Sequence, residues 1–304
     1  PAITFSATAA VVLYCDLIPV FVDINKDTLL MDFEDLKKKY TRDCVAVIPV
    51  HLGGRPCEME KIVPWAKKKR MIIIEDCAET AGGIYKGKKL GTWGDYGCFS
   101  FEEKKIMTTG DGGMVSTNSK EKYLKLKSIS FHGWNKDPWE RHKLSSGRNS
   151  KKHWEYYIER IGYKYNMNDL AASIGLAQLK KINYLNSSRS IIIKNYLEGI
   201  KNLKNIDNKF NYTLKNSSYW LCIIKCEKRD KLISYLKSKG ISTAVHFEPL
   251  PMQPLYKIYK AKIPIAKKEW VKIVSLPLFP DLKLSKVDFI IRAIKDFDKD
   301  FDKY

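Results

Sequence analysis

The sequence predicts an α/β protein, with a large, mostly parallel-sheet domain followed by a smaller C-terminal α/β domain, and three observations lead there. Through the first half, short and nearly continuous apolar runs alternate with helical patterns, as expected for strands buried on both faces of a parallel sheet. A chain of 304 residues with 44% hydrophobic residues can bury a substantial core and is long enough for two domains. The periodicity then fails over residues 131–152, resumes in one long helical stretch, and leads into a second α/β pattern. The expected division is a large domain over 1–185 and a small domain over 186–304.

Taken in order, the run Ile3-Thr4-Phe5 reads as a strand at the start of the chain. Further strands are predicted over 19–22, 44–50, 71–75, 96–101 and 114–117, with helices over 31–40, 57–69 and 120–128. The stretch beginning His132-Gly133-Trp134-Asn135 reads as a long loop; its tryptophans argue against simple disorder. Asn168 is placed to cap a long helix with Leu170, Ile174, Ala177, Leu179 and Ile182 on or near one face. A lysine-rich helical stretch runs on to 202, followed by a strand over 219–225, a helix over 230–239 stopped by Gly240, and a closing helix over 286–297.

Composition narrows the function classes. No apolar run is long enough to span a bilayer, and no secretory signal opens the chain. The seven cysteines are scattered and form no C-x-x-C pair, which points to a reduced cytoplasmic protein without a disulfide framework or a metal site. A net charge of +20 suits phosphate backbones, but lysine dominates arginine and is spread over helix faces. The expectation is weak, non-specific nucleic-acid binding at most, and an affinity for anionic small molecules. The chain begins at Pro1 within a strand-like run, which suggests that an opening segment is absent.

The chemistry concentrates between residues 71 and 113. The apolar run over 71–74 ends in Glu75 and Asp76. A carboxylate at a buried strand end is desolvated unless a cation opposes it, and a protonated pyridine nitrogen is such a cation. An ordinary turn cap by Asp76 is the simpler alternative. Glu79 is near enough in sequence to approach the same ligand, or to act as the third residue of a capping box. Ser100 alternates with Phe99 and Phe101 and so faces the other way, where its hydroxyl suits a phosphate oxygen. Two adjacent lysines follow, Lys104 and Lys105, and the glycines at 110, 112 and 113 then allow close backbone approach to a ligand. A lysine amine condenses with an aldehyde, so the set suggests pyridoxal phosphate; residues alone leave Lys104 and Lys105 both open.

Several blocks carry a family resemblance: 1–10 (PAITFSATAA), 19–23 (PVFVD), 49–56 (PVHLGGRP), 75–83, Gly94-Asp95, 99–113, His132-Gly133, 162–175 (GYKYNMNDLAASIG), Val245-His246-Phe247 and Leu276-Pro277-Leu278. In this order they resemble the DegT/DnrJ/EryC1/StrS sugar aminotransferases, which are pyridoxal-phosphate enzymes of fold type I. The resemblance implies that Lys105, three residues before Thr108-Thr109-Gly110-Asp111-Gly112-Gly113, is the Schiff-base lysine. It likewise implies Asp76 at the pyridine nitrogen, Glu79 near the phenolic oxygen, Ser100 at the phosphate and Phe5 stacked on the ring. The 162–175 block resembles the segment that crosses a homodimer interface, with Lys164 where the family commonly has asparagine, directed at the neighbour's phosphate. His246 matches a histidine near the sugar nucleotide.

The implied reaction converts a nucleotide-linked keto-deoxysugar to its amino sugar, with glutamate as donor, for surface polysaccharide synthesis. Two departures stand out: the family's opening Ser/Gly-Thr-Ala phosphate turn has no counterpart here, and Glu102 places an acid beside the phosphate site. The missing turn leaves room for an inactive remnant or a regulator of the same fold. A sugar dehydratase of the same superfamily is a further alternative; in one branch histidine replaces the cofactor lysine, and Lys105 argues against that branch.

Overall fold

A computed structural model describes residues 1–136, 156–207 and 218–304. The first half carries helices α1 (Ser6–Leu13), α2 (Phe33–Lys39), α3 (Met59–Lys68) and α4 (Lys120–Ser130). Interleaved with them are strands β1 (Ala46–Val47), β2 (Ile72–Asp76), a small hairpin of β3 (Ile84–Tyr85) and β4 (Lys88–Lys89), then β5 (Tyr96–Ser100) and β6 (Gly113–Ser116). The main sheet has the order β1-β2-β5-β6. Its first three strands are parallel, with Ala46 opposite Ile72 and Asp76 opposite Cys98, and β6 closes it antiparallel to β5. The polar side chains before α2 and α4 do the capping: Asp32 accepts from the Asp35 amide and Ser119 from the Lys122 amide.

The second half opens with α5 (Asp169–Ile200), whose first turn is capped by Asn168 accepting from the Ala171 amide at 2.8 Å. Strands β7 (Ile206–Asp207), β8 (Cys222–Cys226) and β9 (Ile273–Leu276) form an antiparallel sheet, with α6 (Arg229–Ser238), α7 (Pro264–Trp270) and α8 (Leu284–Lys299) around it. Helix α8 buries Val287, Ile290, Ile291, Ile294 and Phe297, the spacing of one helical face. The two cores meet at β8. Ile223 packs into the first core with Ile62 and Ile73, whereas Cys222 and Ile224 join the second with Tyr196 and Ile294. Because strand side chains alternate, one strand feeds both cores.

Several expectations change. Residues 3–5 form no strand; Phe5 is the N-cap of α1, and the Ala2 amide bonds to the Val22 carbonyl as an isolated contact. Residues 19–22 are likewise outside any strand. Next to them, the Asp23 carboxylate takes the amides of Ile265 and Ala266 and ties this segment to α7 instead. Strand 44–50 shortens to β1, although Val50 still bridges to Asp76. On α5 the predicted apolar face is bare over its first half, with Leu170 79% exposed and Ile174 and Leu179 exposed; burial begins at Asn186. Of the predicted loop over 131–152, Phe131 bridges to Lys164 and Trp134 to Ile158, while 137–152 lies outside the described residues. Among the described residues no helix is long and apolar enough to cross a membrane.

Candidate active site

The parallel strands deliver the site's residues at their carboxyl ends, where α/β sheets leave a crevice. Asp76 is the last residue of β2. Its Oδ2 accepts from the Thr8 hydroxyl at 2.7 Å and its Oδ1 from the Ala78 amide at 3.1 Å. The turn-cap reading of Asp76 is therefore correct for one oxygen, and the other is held from α1. Since Thr8 donates to Asp76, its oxygen accepts from the Thr4 hydroxyl 2.9 Å away. Thr8 was not singled out from the sequence. Reading 3–5 as a strand hid the bend at Thr4 and the start of α1 at Ser6, which bring Thr4 and Thr8 together.

Behind Asp76 lies a buried polar hub. Glu75 accepts from the amides of Gly91, Trp93 and Gly94 and lies 3.2 Å from His51 Nε2. His51 Nδ1 accepts from the Cys57 amide at 3.1 Å. A backbone amide can only donate, so the ring proton sits on Nε2 and points at Glu75. Burial opposes ionisation of Glu75, but His51 and the Gly94 and Gly91 amides hold its carboxyl below the usual range. His51, Glu75 and Cys77 are close enough together to share a metal ion, yet these hydrogen bonds already employ both His51 nitrogens and both Glu75 oxygens.

Glu79 sits on the turn after β2, with no helix following it, so the capping-box alternative falls. Its Oε2 accepts from the Gly53 amide. Burial raises its carboxyl to about 7 against the pull of that amide and of Lys105 and Arg55, with Asp76 adding to the rise. Gly53 has φ 68°, a left-handed conformation that costs glycine little.

Ser100 ends β5 opposite Gly113, half-buried, with its hydroxyl 3.4 Å from the Glu102 amide. The Glu102 carboxylate turns back to accept from the Lys104 amide at 3.0 Å, so the acid serves the turn. Lys104 is exposed and lies 3.5 Å from Glu103, whereas Lys105 is half-buried with its Nζ 4.2 Å from the centre of the Trp220 ring. Among the described residues no carboxylate lies within ion-pair distance of Lys105. His246 packs edge-on against Trp220 and Phe247, and its Nδ1 is 2.9 Å from the Ser275 hydroxyl. Burial, then the charge of Lys105, lower its imidazole to about 4. Phe5 is 59% exposed and its ring lies 6.0 Å from that of Phe247. Lys164 stands apart: exposed, bonded to Asn166 and placed over Phe131.

A model of the DegT/DnrJ/EryC1/StrS aminotransferase family matches residues 1–295. The chain belongs to that family. Among curated members it is 35% identical to the GDP-perosamine synthase of Escherichia coli O157:H7, covering 99% of this chain and 78% of that one. It is 33% identical to the spore coat polysaccharide biosynthesis protein SpsC of Bacillus subtilis, again over 99% of this chain and 78% of the relative. Its fold is that of the putative sugar aminotransferase Spr1654 from Streptococcus pneumoniae, with a TM-score of 0.87, 30% identity, and coverage of 98% of this chain and 80% of that one. Spr1654 has been solved in PMP and PLP forms. The DegT/DnrJ/EryC1/StrS assignment accounts for the type I α/β architecture described above.

Proposed function

We propose that this protein is a pyridoxal-phosphate-dependent aminotransferase that moves an amino group from glutamate to a nucleotide-linked keto-deoxysugar. The observation that carries it is that Asp76, fixed at the end of β2, and Lys105, a lysine without an ion pair among the described residues, both lie close enough to the buried Glu79 carboxyl to act on its charge. The family and the relatives with sugar-directed names support the reaction class.

The residues fit the cofactor. A half-buried amine without a carboxylate partner can take an aldehyde, and a carboxylate anchored on both oxygens can face a ring nitrogen. When bound, pyridoxal phosphate supplies an aldehyde that accepts the amino group and a ring that accepts an electron pair. In this reading Lys105 Nζ holds the cofactor and, once released, carries the proton at the reacting carbon. Asp76 keeps the ring nitrogen protonated, with Thr8 and Ala78 fixing its two oxygens. Glu79 would border the phenolic oxygen, Ser100 and the glycine turn would hold the phosphate, and the exposed Phe5 would cover the ring. His246, neutral near pH 7, would border the substrate.

The proposed assembly is a homodimer with its active sites at the interface. The bare apolar first half of α5 and the exposed, stacked pair Tyr163 and Tyr165 support it, and Lys164 lies between those two tyrosines. The division at residue 185/186 is kept as a proposal: it falls just before the part of α5 that enters the second core. Seven free cysteines accord with a reducing cytoplasm.

Lys105→Ala is expected to abolish the visible absorption of the lysine-linked cofactor and all transamination, whereas Lys104→Ala should keep both. An unchanged absorption band in Lys105→Ala sinks the assignment. Product formation from a panel of keto-sugar nucleotides, with glutamate and alternative donors, tests the substrate and the donor.

A further inference from the structure

The geometry points to Trp220 as a positioning residue for Lys105, an inference that rests on the reading of Lys105 as the cofactor lysine. Trp220 comes from the segment just ahead of β8, far in sequence from the lysine. Its indole Nε1–H donates to the Lys104 carbonyl at 2.6 Å, and its ring face lies 4.2 Å from Lys105 Nζ. One side chain therefore grips the turn on both sides of the lysine's own peptide: the preceding carbonyl by a hydrogen bond, the ammonium by the ring.

Trp220 is itself anchored to the other wall of the crevice. Its backbone amide donates to the Gly53 carbonyl at 3.1 Å, and the Gly53 amide donates to Glu79. The Gly53 peptide thus joins the Glu79 carboxylate to the residue that holds Lys105. A Cβ at position 53 would lie 3.2 Å from Leu221 Cβ, so this link is built around a glycine.

Simple packing is the competing account, because Trp220 also lies against the first core. Packing asks only for volume, which phenylalanine would supply. It does not explain an indole N–H directed at the carbonyl next to the lysine. The ring also does something a carboxylate could not. Attraction between an ammonium and an aromatic face favours the held amine by about two- to thirtyfold. It aims the amine without a strong ion pair to break when the amine must react.

The test uses acetic anhydride on the cofactor-free protein, with peptide mass spectrometry giving the acylation of Lys105 relative to Lys104. The exposed neighbour is an internal reference for changes in the turn as a whole. Trp220→Leu should raise the Lys105:Lys104 ratio about tenfold, and Trp220→Phe, which keeps a ring but loses the N–H, about two- to threefold. Folding of each variant is checked by circular dichroism. A purely structural tryptophan would lower stability and leave the ratio alone, so no rise in any folded variant overturns the proposal. Borohydride reduction of the wild-type protein with pyridoxal phosphate separates the two levels of the argument. A mass shift on a lysine other than Lys105 removes the reading beneath, whereas a shift at Lys105 with an unchanged ratio removes Trp220 alone.

Discussion

Asp76 and Lys105 both act on the buried Glu79 carboxyl and are held by different forces. Asp76 ends a central parallel strand, accepts hydrogen bonds on both carboxylate oxygens, and is backed by the buried His51–Glu75 hub. Lys105 sits on a turn beyond the last parallel strand, where Glu102 braces the backbone and a ring face receives the amine. The contrast matches what each group would do in the proposed reaction. A carboxylate that stabilises a ring charge works best when it cannot reorient, because preorganised charge needs no rearrangement during reaction. An amine that bonds, releases and carries protons needs a weak hold.

That contrast can be broken from its rigid side, beginning where the cost is greatest. Glu75→Gln puts a side-chain NH2 against two N–H donors that one carboxylate oxygen accepted, either His51 and Gly91 or Trp93 and Gly94, and each buried donor left unsatisfied costs about 1–3 kcal/mol. Urea unfolding should show this as a lower midpoint; a loss below 1 kcal/mol would mean the hub contributes little. Asp76→Asn keeps the shape but removes the charge, and kcat should fall by about 10²–10³-fold, as when other preorganised electrostatic groups are removed. Steady-state rates at saturating cofactor check it, and a kcat within threefold of wild type would place the ring nitrogen elsewhere.

Glu79 offers a pH handle. Its carboxyl is raised from 4.5 to about 7 in the folded protein, so the native state holds this proton more tightly than the unfolded chain does. The contribution to stability is therefore full below about pH 4.5 and is lost as pH rises through about 7. Glu79→Gln should remove that loss, so the stability of the variant relative to wild type should rise by up to about 3 kcal/mol between pH 4.5 and 8. The pH dependence of His246 is common to both proteins and cancels in the difference. Parallel curves across that range would show that Glu79 ionises normally. The smallest effect is expected from Thr8→Val, which removes one hydrogen bond to a charged group, worth about 2 kcal/mol. It should weaken pyridoxal-phosphate binding by about tenfold or more in a spectroscopic titration, and binding within threefold of wild type would show that the Thr8 clamp contributes little.

Much of the crevice was legible in the residues, and the part that was not has a common origin. The runs 71–75 and 96–101 became β2 and β5 within a residue at each end, because short apolar runs between turn residues read as strands even where, as at Ile72, one face stays exposed. Thr8 and Trp220 carried no such mark. Thr8 reaches Asp76 from a helix for which the sequence reading assigned no element, just after the strand-like run 3–5, and Trp220 reaches Lys104 from the second half of the chain. Contacts of that range depend on where two elements dock, and local patterning has no access to docking. The apolar stripe at the start of α5 was legible in the same way as the strands, but what covers it is not settled by periodicity.

By itself the sequence determined the alternating α/β order, the carboxylate at the end of β2, and, through the spacing of its blocks, the family, from which the proposal of Lys105 over Lys104 follows. The tertiary structure alone decided that Asp76 is clamped from α1, that Glu102 turns into its own turn, and that a tryptophan ahead of β8 lies over the lysine. The division is physical. Strand and helix periodicity record whether a residue faces the core, and motif spacing records which residues share a turn. The β8 segment meets the turn of Lys105 where two cores share one strand, while α1 is seated through Ala9 in a third cluster with Phe21, Leu250 and Tyr256.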